Sequence, residues 1–277
     1  MELTAVDIER AVDSALAEDV GRGDRTTDGI VPPGAQCRAA ILLEEPGVLC
    51  GLAVAAAVFE RLDPRVTIEA RSAEGDRLTA VPAPVAEVSG PARAILTGER
   101  TALNLLGRLC GVATLTARYV DLVSGTRAEI LDTRKTTPGL RALEKYAVRC
   151  GGGRNHRAGL DDAILVKENH LRIAGGIGPA LRALRNGAGP AVEVEAETIA
   201  QVEEALAAGA EAILLDNMTP EQVRVAVDLV AGRARLEASG GISLATVRAF
   251  AETGVDCISV GALTHSARSL HVSLEVE

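Results

Sequence analysis

The sequence predicts an α/β fold in two parts, an α+β domain followed by an α/β barrel. From residue 128 onward, short β-rich runs alternate with helical patterns, which implies βα units and parallel strand pairing. Four successive runs end at 195, 216, 239 and 261, so they recur in steps of 21 to 23 residues, the length of one tight βα unit. The first 110 residues lack that rhythm and show mixed elements between Pro- and Gly-rich turns.

In chain order, a helix over Val6–Glu18 leads into Gly21-Arg22-Gly23-Asp24. Strands then follow around Ala39–Glu44, Val66–Ala70 and Val85–Ser89. Thr101–Gly111 and Val112–Val123 read as two helices that bridge the domains. The later strands are Ala128–Asp132, Ala163–Lys167, Ala191–Glu195, Ala212–Asp216, Arg235–Ser239 and Asp256–Gly261, with amphipathic helices at Thr198–Ala208 and Pro220–Val230. His271–Val276 alternates with period two and is expected to return as an edge strand to the first domain. The predicted division is therefore 1–111, joined by 271–277, and 112–270. Six strands are visible where a full barrel has eight, so an open doubly wound sheet stays available as the alternative.

Composition excludes several function classes. The net charge of −9 argues against nucleic acid, whose binding needs a broad basic face. Phe59, Phe250, Tyr119 and Tyr146 are too few to build a base-stacking platform. Five cysteines form no CxxC pair and no complete disulfide framework, which fits small buried residues in a reducing compartment. The N-terminus shows neither a basic n-region nor an apolar h-region, and no run has the length of a membrane span. The expected location is cytoplasmic, with no membrane partner.

One segment departs from the acidic background. All three lysines, Lys135, Lys145 and Lys167, fall within it, although the chain has 29 basic residues. Between Asp132 and Arg172 the net charge is +4, which leaves −13 for the remainder. A local positive island in an acidic protein suggests a site for a small anion. Lys145 reads equally well as an anion contact or as ordinary surface charge.

In a barrel the reacting groups gather where strands end at the C-terminal face. The strand ends here carry Asp132-Thr133-Arg134-Lys135, Lys167, Glu195, Asp216, Ser239-Gly240-Gly241 and Gly261. Glu193 and Glu195 share one face of their strand, where a buried carboxylate needs a cation, metal-bound water or a ligand hydroxyl. Ion pairing with Arg134, Lys135 or Lys167 alone is the plainer reading of both. Asp216 could instead cap the helix that starts at Pro220. Ser239-Gly240-Gly241 and Val260-Gly261-Ala262 each join a late strand to a helix start, an arrangement suited to a phosphate cup. Cys150–Arg157 places three glycines before Arg154, Asn155, His156 and Arg157, which favours anion binding over a solvated connector. Histidine-based metal binding is not expected, because His156, His170, His265 and His271 lack ligand spacing.

Taken together, Leu131–Gly139, Glu144–Ala147, Cys150–Arg157 and Val166–His170 closely resemble the quinolinate phosphoribosyltransferase family, also called nicotinate-nucleotide pyrophosphorylase (carboxylating). The likeness continues through Glu193–Glu195, Leu214–Asn217, Ser239–Ile242 and Ser259–His265, and reaches back to Gly98–Asn104 and Glu18–Gly21. It implies a type II phosphoribosyltransferase architecture, an N-terminal α/β sandwich plus an incomplete α/β barrel, which accounts for the missing strands. It also implies transfer from phosphoribosyl pyrophosphate to quinolinate with decarboxylation and Mg²⁺, giving nicotinate mononucleotide, a precursor of NAD.

The resemblance further implies roles. Arg100, Arg134, His156, Arg157 and Lys167 would clamp the dicarboxylate, alongside Thr133. Lys135 would reach toward the pyrophosphate. Glu195 and Asp216 would position ribose hydroxyls and hydrated Mg²⁺, and Lys135, Glu195 and Asp216 form the expected catalytic set. Ser239–Gly241 and Val260–Ala262 would hold the 5-phosphate. Arg100 would cross a homodimer interface into the partner's site. Two other readings stay open: a paralogue of the same fold associated with molybdate uptake, and a phosphate-binding lyase or isomerase with Lys167 as a Schiff-base amine.

Overall fold

A computed structural model of the chain describes residues 3–185 and 192–277. Ala191, the first residue of one predicted strand, lies outside the described residues. Two compact units emerge: Met1–Ala117 with Thr136–Gly152 and Leu263–Glu277, and Arg118–Lys135 with Gly153–Ala262.

The first unit is built on α1 (Ala5–Asp19), α2 (Arg25–Ile30), β1 (Gln36–Leu43), β2 (Gly47–Val48), α3 (Leu52–Leu62), β3 (Thr67–Ala70), β4 (Arg77–Leu78), β5 (Ala83–Pro91) and the start of α4 (Ala92–Val123). It also holds α5 (Arg141–Cys150) and the C-terminal β12 (Val272–Val276). Its main sheet runs β12-β1-β5-β3 and is antiparallel throughout. The predicted return of the C-terminal strand is realised by β12, whose residues pair with Ala39–Leu43 of β1. Thr4 starts α1 with a reciprocal capping box to Asp7, which satisfies amides that would otherwise lack partners.

α4 is one helix of 32 residues, not the two predicted around Gly111. Gly107 and Gly111, one turn apart, permit close backbone packing and do not break the helix. A Cβ at Gly107 would sit 2.6 Å from the Leu270 carbonyl oxygen, and one at Gly111 would overlap that of Arg268. The boundary of the units also departs from the sequence reading, because α5 packs with the first unit. Glu144 of α5 is wholly buried; it accepts from Arg108 Nε at 3.0 Å and Nη2 at 2.7 Å, and from Thr137 N at 3.0 Å and its hydroxyl at 2.7 Å. A buried carboxylate so fully hydrogen-bonded fixes the helix in place. Lys145 beside it is also fully buried, so it is not an ordinary surface charge.

The second unit carries β6 (Glu129–Leu131), β7 (Ile164–Val166), α6 (Glu168–Ala174), α7 (Ile177–Arg185), β8 (Val192–Ala196), α8 (Ile199–Ala207), β9 (Ala212–Asp216), α9 (Pro220–Val230), β10 (Arg235–Ser239), α10 (Val247–Ala251) and β11 (Cys257–Ser259). Its six strands are parallel in the order β6-β11-β10-β9-β8-β7. This is the circular order of a barrel, opened between β6 and β7, and it excludes the doubly wound alternative. The free edge of β6 is covered by the main chain of Arg154, which donates to Ile130 O at 2.8 Å and accepts from Asp132 N at 3.1 Å. The glycine-rich segment is therefore anchored and does not act as a solvated connector. Helices α8 and α9 begin with capping boxes at Thr198 and Thr219, and the second of these relieves Asp216 of any capping role. Among the described residues no helix is long and apolar enough to cross a membrane.

Candidate active site

Parallel strands deliver all their C-terminal ends to one mouth, and there the second unit has a cavity of about 450 Å³. Every strand of the sheet contributes to it, directly or through the loop that follows. Thr133, Arg134 and Lys135 come from beyond β6, Leu165 and Lys167 from β7, Glu195 from β8, and Leu214, Asp216 and Asn217 from β9. Glu237, Ser239, Gly240 and Gly241 come from β10, Ser259 from β11, and His156 and Arg157 from the anchored loop.

The cations cluster. Burial first, and then the charge of neighbouring Arg134, pushes the Arg157 guanidinium below its ordinary value. Arg134 Nε is buried without a hydrogen-bond partner among the described residues. Two guanidiniums that repel one another, one with an unused buried donor, constitute a site prepared for an anion. Lys167 Nζ lies 3.6 Å from Glu195 Oε2, with its side chain about half exposed.

The loop carrying His156 is held by Asp132, a fully buried carboxylate at the end of β6. Asp132 accepts from His156 N at 2.9 Å and from Asn155 Nδ2 at 2.6 Å. The His156 ring, expected to help clamp the dicarboxylate, lines the cavity and is itself held by the protein. Its Nδ1 accepts from Arg157 N at 2.7 Å, which assigns the proton to Nε2, 3.0 Å from Glu193 Oε2. Both ring nitrogens are thus engaged by the protein, which fixes the orientation of a ring that also lines the cavity. Glu193 pairs with His156 and with Arg235, 3.6 Å away, and not with the cations at the mouth.

Glu237 lies two residues before Ser239 on β10 and is fully buried. Burial, reinforced by the charge of Glu193, pushes its carboxyl up to about 7. An unfolded glutamate titrates near 4.5, so between that value and about 7 the native protein holds a proton that the unfolded chain has lost. Stability should therefore fall as pH rises through this window, by on the order of 1–3 kcal/mol from this group. Urea unfolding at pH 5 and pH 8 should show that loss in the native protein and a smaller one in Glu237→Gln. Equal losses in both would contradict the assignment.

One oxygen each from Glu195, Glu197 and Asp216 lies within 4.8 Å of the others. Glu195 and Asp216 are half-buried and Glu197 is exposed, so the set offers hard oxygen donors with room for water, which suits a hydrated divalent cation such as Mg²⁺. Asn217 holds a left-handed conformation with φ 56°, donates to Asp216 Oδ2 at 2.7 Å, and sends its main-chain N–H to Ser239 O at 2.9 Å. This links the acidic cluster to Gly240 and Gly241, whose φ values of 95° and 62° favour glycine. The expected helix N-terminus behind these glycines is absent, because α10 begins only at Val247. Any anion there relies on loop N–H groups without a helix dipole.

Val260, Gly261 and Ala262 do not line the cavity; Ser259 is the residue that β11 presents. Arg100 is likewise not among the lining residues and is exposed on α4. Leu214, Asn217 and Ser259 stood in segments that carry the resemblance but were given no site role, and Glu237, Leu165 and the nearby Glu197 were not singled out in the sequence. Leu165, Leu214 and Glu237 each stand two positions before a strand-end residue, so the period of two could have found them.

Residues 24–110 match the family described as quinolinate phosphoribosyl transferase, N-terminal domain, and residues 112–275 match its C-terminal domain. A Bacillus subtilis protein named probable nicotinate-nucleotide pyrophosphorylase (carboxylating) is 45% identical over 97% of this chain and 93% of its own length. The Mycobacterium leprae nicotinate-nucleotide pyrophosphorylase (carboxylating) is 46% identical over 95% and 94%. Among solved structures, NadC from Streptococcus pyogenes superposes with a TM-score of 0.95 at 43% identity, covering 100% of this chain and 99% of that one. With both domains matched and relatives of this similarity spanning nearly the whole length, the chain belongs to the quinolinate phosphoribosyltransferase family.

Proposed function

We infer that this protein transfers the phosphoribosyl group of phosphoribosyl pyrophosphate to quinolinate, releasing pyrophosphate and carbon dioxide and yielding nicotinate mononucleotide for NAD synthesis. The observation that carries the reading is one cavity lined both by cations (Arg134, Lys135, Arg157, Lys167) and by carboxylates (Glu195, Asp216), which meet where Lys167 lies 3.6 Å from Glu195. A dicarboxylate and a pentose phosphate need those two environments side by side.

Arg134 and Arg157 supply forked donors for the two carboxylates, with Lys167 and the Thr133 hydroxyl beside them. Lys135 faces the pyrophosphate as a compact point charge. Glu195 and Asp216 hold the ribose hydroxyls and stabilise positive charge at the anomeric carbon as its bond to pyrophosphate loosens, before the pyridine nitrogen attacks. Ser239, Gly240 and Gly241 receive the 5-phosphate. Glu195, Glu197 and Asp216 would hold Mg²⁺, which disperses the charge of the leaving pyrophosphate. When the C–C bond to the departing carboxylate breaks, its electron pair stays on the ring carbon, stabilised by the adjacent cationic nitrogen, and takes up a proton from water as carbon dioxide leaves. A Schiff-base role for Lys167 is disfavoured, because a half-exposed ammonium paired with Glu195 is not the desolvated amine such chemistry needs.

Arg100 serves the site of a partner subunit in a homodimer. Mixing inactive Arg100→Ala and Glu195→Ala subunits should restore activity, since about half of the mixed dimers' sites would then be intact. No recovery after verified subunit exchange would remove Arg100 from the site. For the reaction itself, purified protein with Mg²⁺ should release carbon dioxide and pyrophosphate in equal amounts from quinolinate and phosphoribosyl pyrophosphate. Pyrophosphate released without carbon dioxide would contradict the reading.

A further inference from the structure

In the first unit, among residues that do not line the described cavity, three groups distant in sequence converge: the sulfurs of Cys50 and Cys150 and a carboxylate oxygen of Glu74 lie within 4.8 Å of one another. Cys50, just before α3, is wholly buried, whereas Cys150, the last residue of α5, is partly open to solvent. All five cysteines are free thiols.

Three acidic groups at this spacing suit either a soft metal ion or thiol chemistry, and the hydrogen bonds decide between them. Both oxygens of Glu74 are already committed, accepting from Gly51 N and Leu52 N at 2.8 Å each, where they cap α3. Cys110 is committed as well. Its sulfur accepts from Cys50 N at 3.3 Å and donates to Cys50 O at 3.4 Å, so it engages the main chain of Cys50. What is left is the Cys50–Cys150 pair. Its sulfurs lie within 4.8 Å of one another, and the neighbouring Cys50 thiol, followed by the Tyr146 hydroxyl, pushes the Cys150 thiol below its ordinary value. The outer sulfur is partly open to solvent and the other is shielded, the asymmetry expected of a reactive cysteine beside a resolving partner.

We propose that Cys150 and Cys50 form a peroxide-reactive dithiol, a modification site in which Cys150 is oxidised first and Cys50 closes the disulfide. The Cys150 sulfur attacks one oxygen of a hydroperoxide and breaks its O–O bond, giving a sulfenic acid and one water or alcohol. The Cys50 sulfur then attacks the Cys150 sulfur; the S–S bond forms, the S–OH bond breaks, and the hydroxyl leaves as water with the Cys50 proton. The two thiols supply the two electrons that reduce the peroxide.

The test is peptide mapping of the intact reduced protein after brief hydrogen peroxide treatment, alkylation of remaining thiols and non-reducing digestion. The expected product is a Cys50–Cys150 linked peptide two hydrogens lighter than its parts, with Cys150 losing alkylation at least about tenfold faster than half-buried Cys37. In Cys50→Ser, Cys150 should instead accumulate as a sulfenic acid trapped by dimedone, and in Cys150→Ser, Cys50 should stay reduced. A Cys50–Cys110 link, oxidation of Cys50 unaffected by Cys150→Ser, or equal loss of Cys37 and Cys150 would overturn the proposal. So would retention of both thiols together with stoichiometric Zn²⁺ uptake, which would assign the cluster to a metal. The mapping of the native chain decides the matter even where a variant fails to fold.

Discussion

Glu195→Ala is expected to lower kcat by at least about 10²-fold while changing the apparent affinity for quinolinate far less. Glu195 stands at the end of β8, beside Asp216 and Glu197, and its ion-pair partner is Lys167, not a guanidinium. Its negative charge matters most when positive charge develops at the anomeric carbon, and hardly at all in binding a dianion. A group that acts mainly in the transition state lowers kcat and leaves ground-state binding nearly intact. Steady-state kinetics, varying each substrate separately, measures the split. A rise in the quinolinate KM with unchanged kcat would move Glu195 to the binding side.

Arg157→Ala should show the opposite pattern, weakening quinolinate binding about 10- to 100-fold, as loss of a charge-assisted hydrogen bond predicts. The main-chain N–H of Arg157 that orients His156 survives the substitution, so the effect reports on the side chain. Arg157→Lys keeps the charge but loses the planar fork, and should fall between the two. Calorimetric titration with quinolinate gives the affinity directly; an unchanged value would mean that Arg134 and Lys167 suffice.

Much of this site was legible because a parallel barrel converts strand ends into a list of site residues. Lys167, Glu195, Asp216 and Ser239 were found in this way, and the charge of the Asp132–Arg172 segment pointed to the same mouth. The residues missed were hidden for physical reasons. Glu237 looks like any polar residue within a strand, and its importance comes from burial beside Glu193, a contact across strands β8 and β10 that are not neighbours in the sheet order. Glu197 lies past the strand end, where residue period no longer predicts direction. The partners of the His156 ring, Arg157 N and Glu193, were not legible either, because a ring's tautomer follows from hydrogen bonds that only the fold brings together. Lys145 was ambiguous in the sequence because helical spacing does not reveal that α5 buries polar residues along with apolar ones. The Cys50–Cys150 pair was invisible because the two residues lie 100 positions apart.

The central claim is that the cationic groups of the cavity are built for two carboxylates on a pyridine ring. It is tested most directly by presenting quinolinate and nicotinate, each with phosphoribosyl pyrophosphate and Mg²⁺, to the same purified protein. The account predicts a kcat/KM for quinolinate at least about 10²-fold above that for nicotinate, because the second carboxylate leaves no buried guanidinium donor unpaired. Equal use of the two acids, or preference for nicotinate, would contradict it.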